Sequence, residues 1–179
     1  MLIILSGLPG TGKTTIAREL ARRLPAVHVR IDSIEQAIRG AGVLAGPIDD
    51  AGYRVGYALA EDNLRLGLEV VADSVNPLSL TRSAWRDAAA RAGVPSIDVE
   101  VVCSDRAMHR RRVEERVADL PDHRLPTWAE VVAREYHAWA DGRLVIDTAS
   151  TSVDGAVEIV LARVRRRPGS QASAGIGGV

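Results

Sequence analysis

The sequence predicts an α/β fold in three layers, a five-stranded parallel sheet covered by helices on both faces. Three observations predict it. Short apolar runs rich in Val and Ile alternate with longer amphipathic stretches along most of the chain, as when β-strands are joined by crossover helices. The first run, from Leu2, leads straight into a glycine-rich turn and then a helical pattern. Two further runs lead into aspartates, Asp32 and Asp73. Right-handed crossovers put all such strand ends on one rim, where open α/β sheets bind ligands.

The glycine-rich turn carries the strongest chemical signal. In LIILSGLPGTGKTT, residues Gly7, Gly12, Lys13 and Thr14 fit the spacing G-x-x-x-x-G-K-[ST]. In that spacing a loop wraps a phosphate with inward-pointing backbone N–H groups. The loop residues Gly7, Pro9, Gly10, Thr11, Gly12, Lys13, Thr14 and Thr15 are the expected nucleotide-binding set. Glycine lets the backbone approach the anion, Lys13 reaches the outer phosphates, Thr14 holds magnesium, and the following helix adds its positive end. Lys13 is also the single lysine of the chain, every other cationic chain being arginine. A compact ammonium is thus reserved for one position. The expected ligands are ATP and Mg²⁺.

The remaining elements follow in order. The pattern predicts a helix over Lys13–Leu24, a strand over Ala26–Ile31 ending at Asp32, and a short helix over Ser33–Arg39. A glycine-rich stretch from Gly40 to Pro47 precedes a helix capped by Asp49 or Asp50 and running to about Leu66. A third strand covers Glu69–Ala72 before Asp73, and a helix over Leu80–Ala92 stops at Gly93 and Pro95. A fourth strand covers Ile97–Cys103. An arginine-rich helix over Ala107–Val117 is broken by the proline-containing loop, and Thr127 caps a helix expected to run through Ala140. A last strand over Arg143–Ile146 and a helix over Val153–Arg166 close a single domain spanning 1–167. Residues 168–179, rich in Gly, Ser and Ala, read as a disordered tail.

Composition narrows the function classes. At 179 residues, 46% hydrophobic, with zero formal net charge and a pI of about 6.9, nothing global draws the chain to nucleic acid or an anionic membrane. No stretch approaches the roughly 20 apolar residues of a membrane span. Cys103 is the sole cysteine, which excludes an internal disulfide and fits a reducing cytoplasm. The four histidines show no metal spacing. A monomer or homodimer is expected.

Asp32 and Asp73 fall beside the phosphate loop. Asp32 suits a general base that takes a proton from a substrate hydroxyl. With Glu35 it equally has the spacing of a capping box. Asp73 suits a magnesium-orienting acid, or a plain turn residue in DSVNP. In DRAMHRRRVEER, Arg110 with Glu114 and Arg111 with Glu115 are ordinary i,i+4 pairs. Arg112 and Arg116 stack as like charges that an anion would reconcile. With the loop after it, residues 106–127 read as a lid closing arginines over a transferring phosphoryl group, or as a charged surface helix. Arg54, Tyr57, Asn76 and Arg82 are candidate substrate contacts, the tyrosines having core packing as the competing role.

The motifs GLPGTGKTT, RIDS at Arg30–Ser33, VADSVN at Val71–Asn76, Arg82, the spacing of Arg112 and Arg116, and LPTWAEVVAREYHAW carry a resemblance. The chain resembles the small phosphate-loop kinases related to polynucleotide kinase, zeta toxins and chloramphenicol phosphotransferase. The resemblance spans Leu2 to about Asp147. It implies a three-layer P-loop NTPase fold with strand order 2-3-1-4-5, Asp32 as the base, and Arg112 and Arg116 near the adenine and the transferred phosphate. Val75 stands where the group often has threonine, and Gly40–Gly67 matches no specific member.

The expected function is an ATP-dependent kinase acting on a hydroxyl of a small molecule. A polynucleotide 5′-hydroxyl kinase is the second reading, disfavoured by the neutral charge. A nucleotide-binding or hydrolysing regulator is the third.

Overall fold

The computed structural model describes residues 1–42, 46–139 and 142–166. The tail expected over 168–179 lies outside the described residues, as does the boundary at residue 167.

Five parallel strands form one sheet: β1 (Leu2–Ser6), β2 (Val27–Arg30), β3 (Val70–Asp73), β4 (Ser96–Val102) and β5 (Leu144–Asp147). Their order is β2-β3-β1-β4-β5, as the resemblance implies. β1 lies at the centre, paired with β3 and β4, so the loop that follows it opens at the middle of the carboxyl rim.

The alternation along β1 builds both layers. Ile3 and Leu5 face α1 (Lys13–Arg23) and α7 (Val153–Arg165), joining Ile16, Leu20, Val157 and Val160 in one core. Leu2 and Ile4 face α3 (Ala51–Arg65) and α4 (Ser79–Arg91), joining Ala60, Leu64 and Trp85 in the other. Every side chain of β1 is buried, as a central parallel strand requires. The remaining helices are α2 (Ile31–Gly40), α5 (Arg106–Glu115) and α6 (Trp128–Val132).

Two boundaries differ from expectation in ways that matter. β2 stops at Arg30, so Asp32 sits in the first turn of α2 rather than at a strand end, and the N-cap is Arg30. A capping box through Asp32 is therefore not formed. The helix expected through Ala140 ends at Val132, although Thr127 caps it as foreseen, in a complete box with Glu130.

Arg82 supplies the reason for the second change. Its buried guanidinium donates to the carbonyls of Asn76 at 2.9 Å, Pro77 at 3.1 Å, His137 at 2.8 Å and Ala138 at 3.3 Å. It also lies 4.0 Å from the Trp139 ring centroid and 4.9 Å from that of Tyr136. Carbonyls of residues 137 and 138 taken by arginine hold the chain in an extended return across the α4 entrance. The charge is satisfied by four carbonyls and two π faces. Arg82→Ala orphans these carbonyls and is expected to cost about 3 kcal/mol of stability. A urea midpoint measures this, and Arg82→Lys should not restore it, because an ammonium cannot reproduce the planar fork.

Candidate active site

The phosphate loop owes its shape to contacts that exclude side chains. Gly7, Gly10 and Gly12 have φ of 150°, 84° and 91°. A Cβ at Gly7 would lie 2.2 Å from the Val101 carbonyl oxygen, and one at Gly10 would lie 2.5 Å from Val113. The second contact comes from α5, whose buried His109 also meets the Pro9 carbonyl through Nε2 at 2.8 Å. The arginine-rich helix is thus seated on the loop. Gly12 caps α1 with no side-chain bond, so the first N–H groups of α1 open outward with the helix dipole behind them. This is the donor arrangement an anionic phosphate chain requires.

Lys13 is 7% exposed and Asp73 2%. The Asp73 carboxylate lies 3.3 Å from His28 Nε2. Burial pushes its pKa up, but His28, Lys13 and a hydrogen bond from Thr14 together hold it below the ordinary carboxylate range. Asp73 is therefore an anion beside Thr14. A hydroxyl and one carboxylate are the protein's usual share of a nucleotide-bound magnesium shell, the rest being phosphate and water. Among the described residues no group of three or more His, Cys, Asp or Glu could hold a metal by itself. The residues fit a magnesium ion that arrives with its nucleotide.

A cleft of about 1160 Å³ connects this loop to the rest of the site. Lys13, Thr14, Asp32, Arg112 and Arg116 all line it. Asp32 is 32% exposed, with Arg30 Nη2 at 3.6 Å from its carboxylate. Arg112 donates to Thr148 Oγ1 at 2.8 Å and to the Thr148 carbonyl at 3.1 Å. Thr148 Oγ1 in turn donates to the Thr11 carbonyl at 2.8 Å, which ties Arg112 to the loop. Arg116 is the C-cap of α5 in extended conformation, so it does not stack on Arg112 along one helical face. The helix ends one residue too early for that, and each arginine reaches the cleft separately. No bond or ion pair among the described residues holds Arg116. Arg110 pairs with Glu114 at 2.8 Å as an ordinary surface pair.

Four expected substrate contacts lie elsewhere. Arg54 is on the outer face of α3, 76% exposed and 3.7 Å from Asp50. Tyr57 packs edge-on against Trp85 at 4.7 Å and donates to the Thr81 carbonyl. Asn76 is fully buried, donating to Ser6 Oγ at 2.9 Å and accepting from Trp85 Nε1 at 3.0 Å. Arg82 is the clamp already described. Tyr57, Asn76 and Arg82 are framework, and Arg54 is a surface residue. Of the α3 tyrosines it is Tyr53 that reaches the cleft, its hydroxyl accepting from the Asn76 N–H at 3.1 Å.

Sequence reasoning missed how the loop after α5 is fastened. Asp119, in the loop after α5, accepts two bonds from the buried Arg30, at 2.7 and 3.0 Å, and one from Arg18 of α1. These residues stand 89 and 101 positions apart, and no local pattern announces such pairs. The bonds from Arg30, then those from Arg18, hold the Asp119 carboxyl far below its usual range against the opposing effect of burial. A depressed carboxylate contributes above its unfolded pKa and fails as pH falls through the folded value. The latch is therefore expected to be intact from about pH 4 upward and lost only in stronger acid. Asp119→Asn should open it at neutral pH. Faster proteolysis at the lid arginines and several-fold more ATP hydrolysis without acceptor are the readouts.

Fold and site together define a P-loop fold with an arginine-rich helix, α5, seated on its phosphate loop. Residues 2–135 match the family profile described as AAA domain, and the chain belongs to that family. None of the curated proteins matches the sequence. Among solved structures the chain is similar to the APS kinase CysC of Mycobacterium tuberculosis in complex with AMPPNP and APS. Identity is 19% and TM-score 0.69, over 92% of this chain and 96% of that one. It is similar to Kti12 of Chaetomium thermophilum with ADP-AlF3, at 21% identity and TM-score 0.68, over 92% and 97%. A gluconokinase from Sinorhizobium meliloti 1021 matches at 17% identity and TM-score 0.62, over 92% and 91%. At these identities the likeness is one of fold. Among the described residues no helix is long and apolar enough to cross a membrane.

Proposed function

We propose that the protein is an ATP-dependent kinase that phosphorylates a hydroxyl of a small molecule. One observation carries the reading: Asp32 opens into the same lidded cleft as Lys13 and Thr14, with Arg112 and Arg116 lining it from the lid. A base, a phosphate cradle and transition-state cations sharing one enclosed space are the parts of phosphoryl transfer.

The loop N–H groups and Lys13 hold the phosphate chain of ATP. Thr14 and Asp73 would hold magnesium, which would supply charge neutralisation to the phosphate chain. Asp32 accepts the acceptor's hydroxyl proton. The acceptor oxygen bonds to the γ-phosphorus as the bond to the β,γ-bridging oxygen breaks, and ADP leaves. Arg116, unpaired, meets the charge on the transferring group, while Arg112 stays fastened beside the nucleotide loop. The latch at Asp119 keeps water out during transfer. Solved proteins of similar fold hold AMPPNP and ADP-AlF3, which supports a nucleotide in this cleft.

Mass spectrometry of a panel of alcohols, sugars, nucleosides and 5′-hydroxyl oligonucleotides, incubated with protein, ATP and Mg²⁺, tests the reading. A phosphate mass shift on a small-molecule acceptor is the expected result. Steady ATP hydrolysis untouched by every acceptor would instead favour a nucleotide-hydrolysing regulator.

A further inference from the structure

Resting on the kinase reading, the geometry points to an uncharged polyhydroxylated small molecule as the acceptor, held beside Asp32 by Glu35, Gln36, Tyr53 and His123. All four line the same cleft as the base. Glu35 lies one helical turn beyond Asp32 on α2, and Tyr53 projects from the neighbouring α3.

Charge pairing separates the two halves of the cleft. On the phosphate-loop side, Lys13 opens α1 and Arg112 is tied to the loop through Thr148, while Arg116 lines the cleft without a partner among the described residues. Along the rest of the cleft the arginines other than Arg134 are already engaged by carboxylates within the protein, Arg18 and Arg30 sharing that of Asp119. Arg39 binds Glu35 at 3.1 Å, Arg18 and Arg30 bind Asp119, and Arg124 binds Glu130 at 2.6 Å. Arg134 also lines the cleft but is exposed to solvent, where its field is screened. A phosphate or carboxylate on the acceptor would therefore meet Asp32 and Glu35 with no uncommitted buried cation to receive it. A neutral ligand meets no such repulsion.

The same half is rich in hydrogen-bonding groups that a polyol can satisfy. His123 Nδ1 is buried without a partner among the described residues, an unusual state for a buried polar atom. The Tyr53 hydroxyl is anchored by the Asn76 N–H, which aims it at the cleft. Glu35 is fixed in place because its stem lies on bare backbone: a Cβ at Gly52 would approach its Cγ to 2.4 Å. Burial raises the Glu35 carboxyl above its usual range, with the Arg39 bond opposing. Space agrees as well. The cleft exceeds the roughly 300–1,000 Å³ of a single small-ligand pocket, leaving room for a nucleotide and a sugar-sized partner under a latched lid.

Calorimetry on the full chain with AMPPNP and Mg²⁺ tests this through binding alone. The probes are matched sets: a hexose and a hexitol, the corresponding aldonic acid, and the corresponding sugar phosphate. The neutral members are expected to bind at least tenfold more tightly than their anionic counterparts. Glu35→Ala should weaken neutral binding about tenfold, and Glu35→Arg should reverse the preference, with AMPPNP affinity unchanged in both. Gln36→Ala serves as a second variant should the arginine not be accommodated. Equal or tighter binding of the anions, or binding of neither class, overturns the inference. Neutral binding without any phosphate transfer from ATP would uphold it while refuting the kinase reading.

Discussion

Asp32→Asn is expected to abolish phosphoryl transfer while leaving ATP binding intact. The substitution removes a proton acceptor but keeps size, polarity and position in the first turn of α2. Loss of a positioned general base costs about 10²–10⁴ in rate. The nucleotide contacts are spared, because the phosphate loop is shaped by β1, α1 and the packing of α5, whereas Asp32 stands on α2. Single-turnover transfer measured beside ATP-analogue affinity checks both halves. Full transfer by the variant would remove Asp32 from the chemistry.

Arg116→Ala should be nearly as damaging, by about 10³ in kcat, the scale on which a cation meeting the transferring phosphoryl group acts. ATP affinity should fall far less. The contrast with Arg112 is the sharper test. Arg112 is fastened to Thr148 on both its hydroxyl and its carbonyl, and through it to Thr11, so Arg112→Ala should chiefly loosen nucleotide binding. A kcat loss confined to Arg116 and a KM rise dominated by Arg112 would separate a transition-state contact from a ground-state one. Matching losses at the two positions would show that the lid arginines act as one unit.

Much of this site is readable from the chain because its signals are local. The phosphate loop is nine consecutive residues with a fixed spacing, and Asp73 closes an apolar run that can only be a buried strand. The sheet order follows once that loop's relatives are recognised. Local reading fails where distant groups decide the backbone. Residues 133–139 carry a helical look, yet Arg82, some fifty-five positions earlier, takes their carbonyls. Arg82 and Asn76 look like rim residues by position and prove to be framework, because burial depends on what α4 packs against. Tyr53 and Tyr57 differ by one helical turn, and only the third dimension assigns one to the cleft and the other to Trp85. The latch is the extreme case, three residues on α1, β2 and the lid with no shared spacing.

The depth of Lys13 has a practical consequence. It is the one ε-amine in the chain, and it is nearly enclosed beneath the loop. The other amine, the Met1 terminus, is engaged by Glu69 at 3.0 Å. Amine-directed acylation of the whole protein therefore has a single side-chain target, at the bottom of the nucleotide cleft. Labelling at Lys13 becomes a direct gauge of occupancy, slow in the empty protein and suppressed further when a nucleotide fills the loop, with twenty-two arginines silent to the reagent.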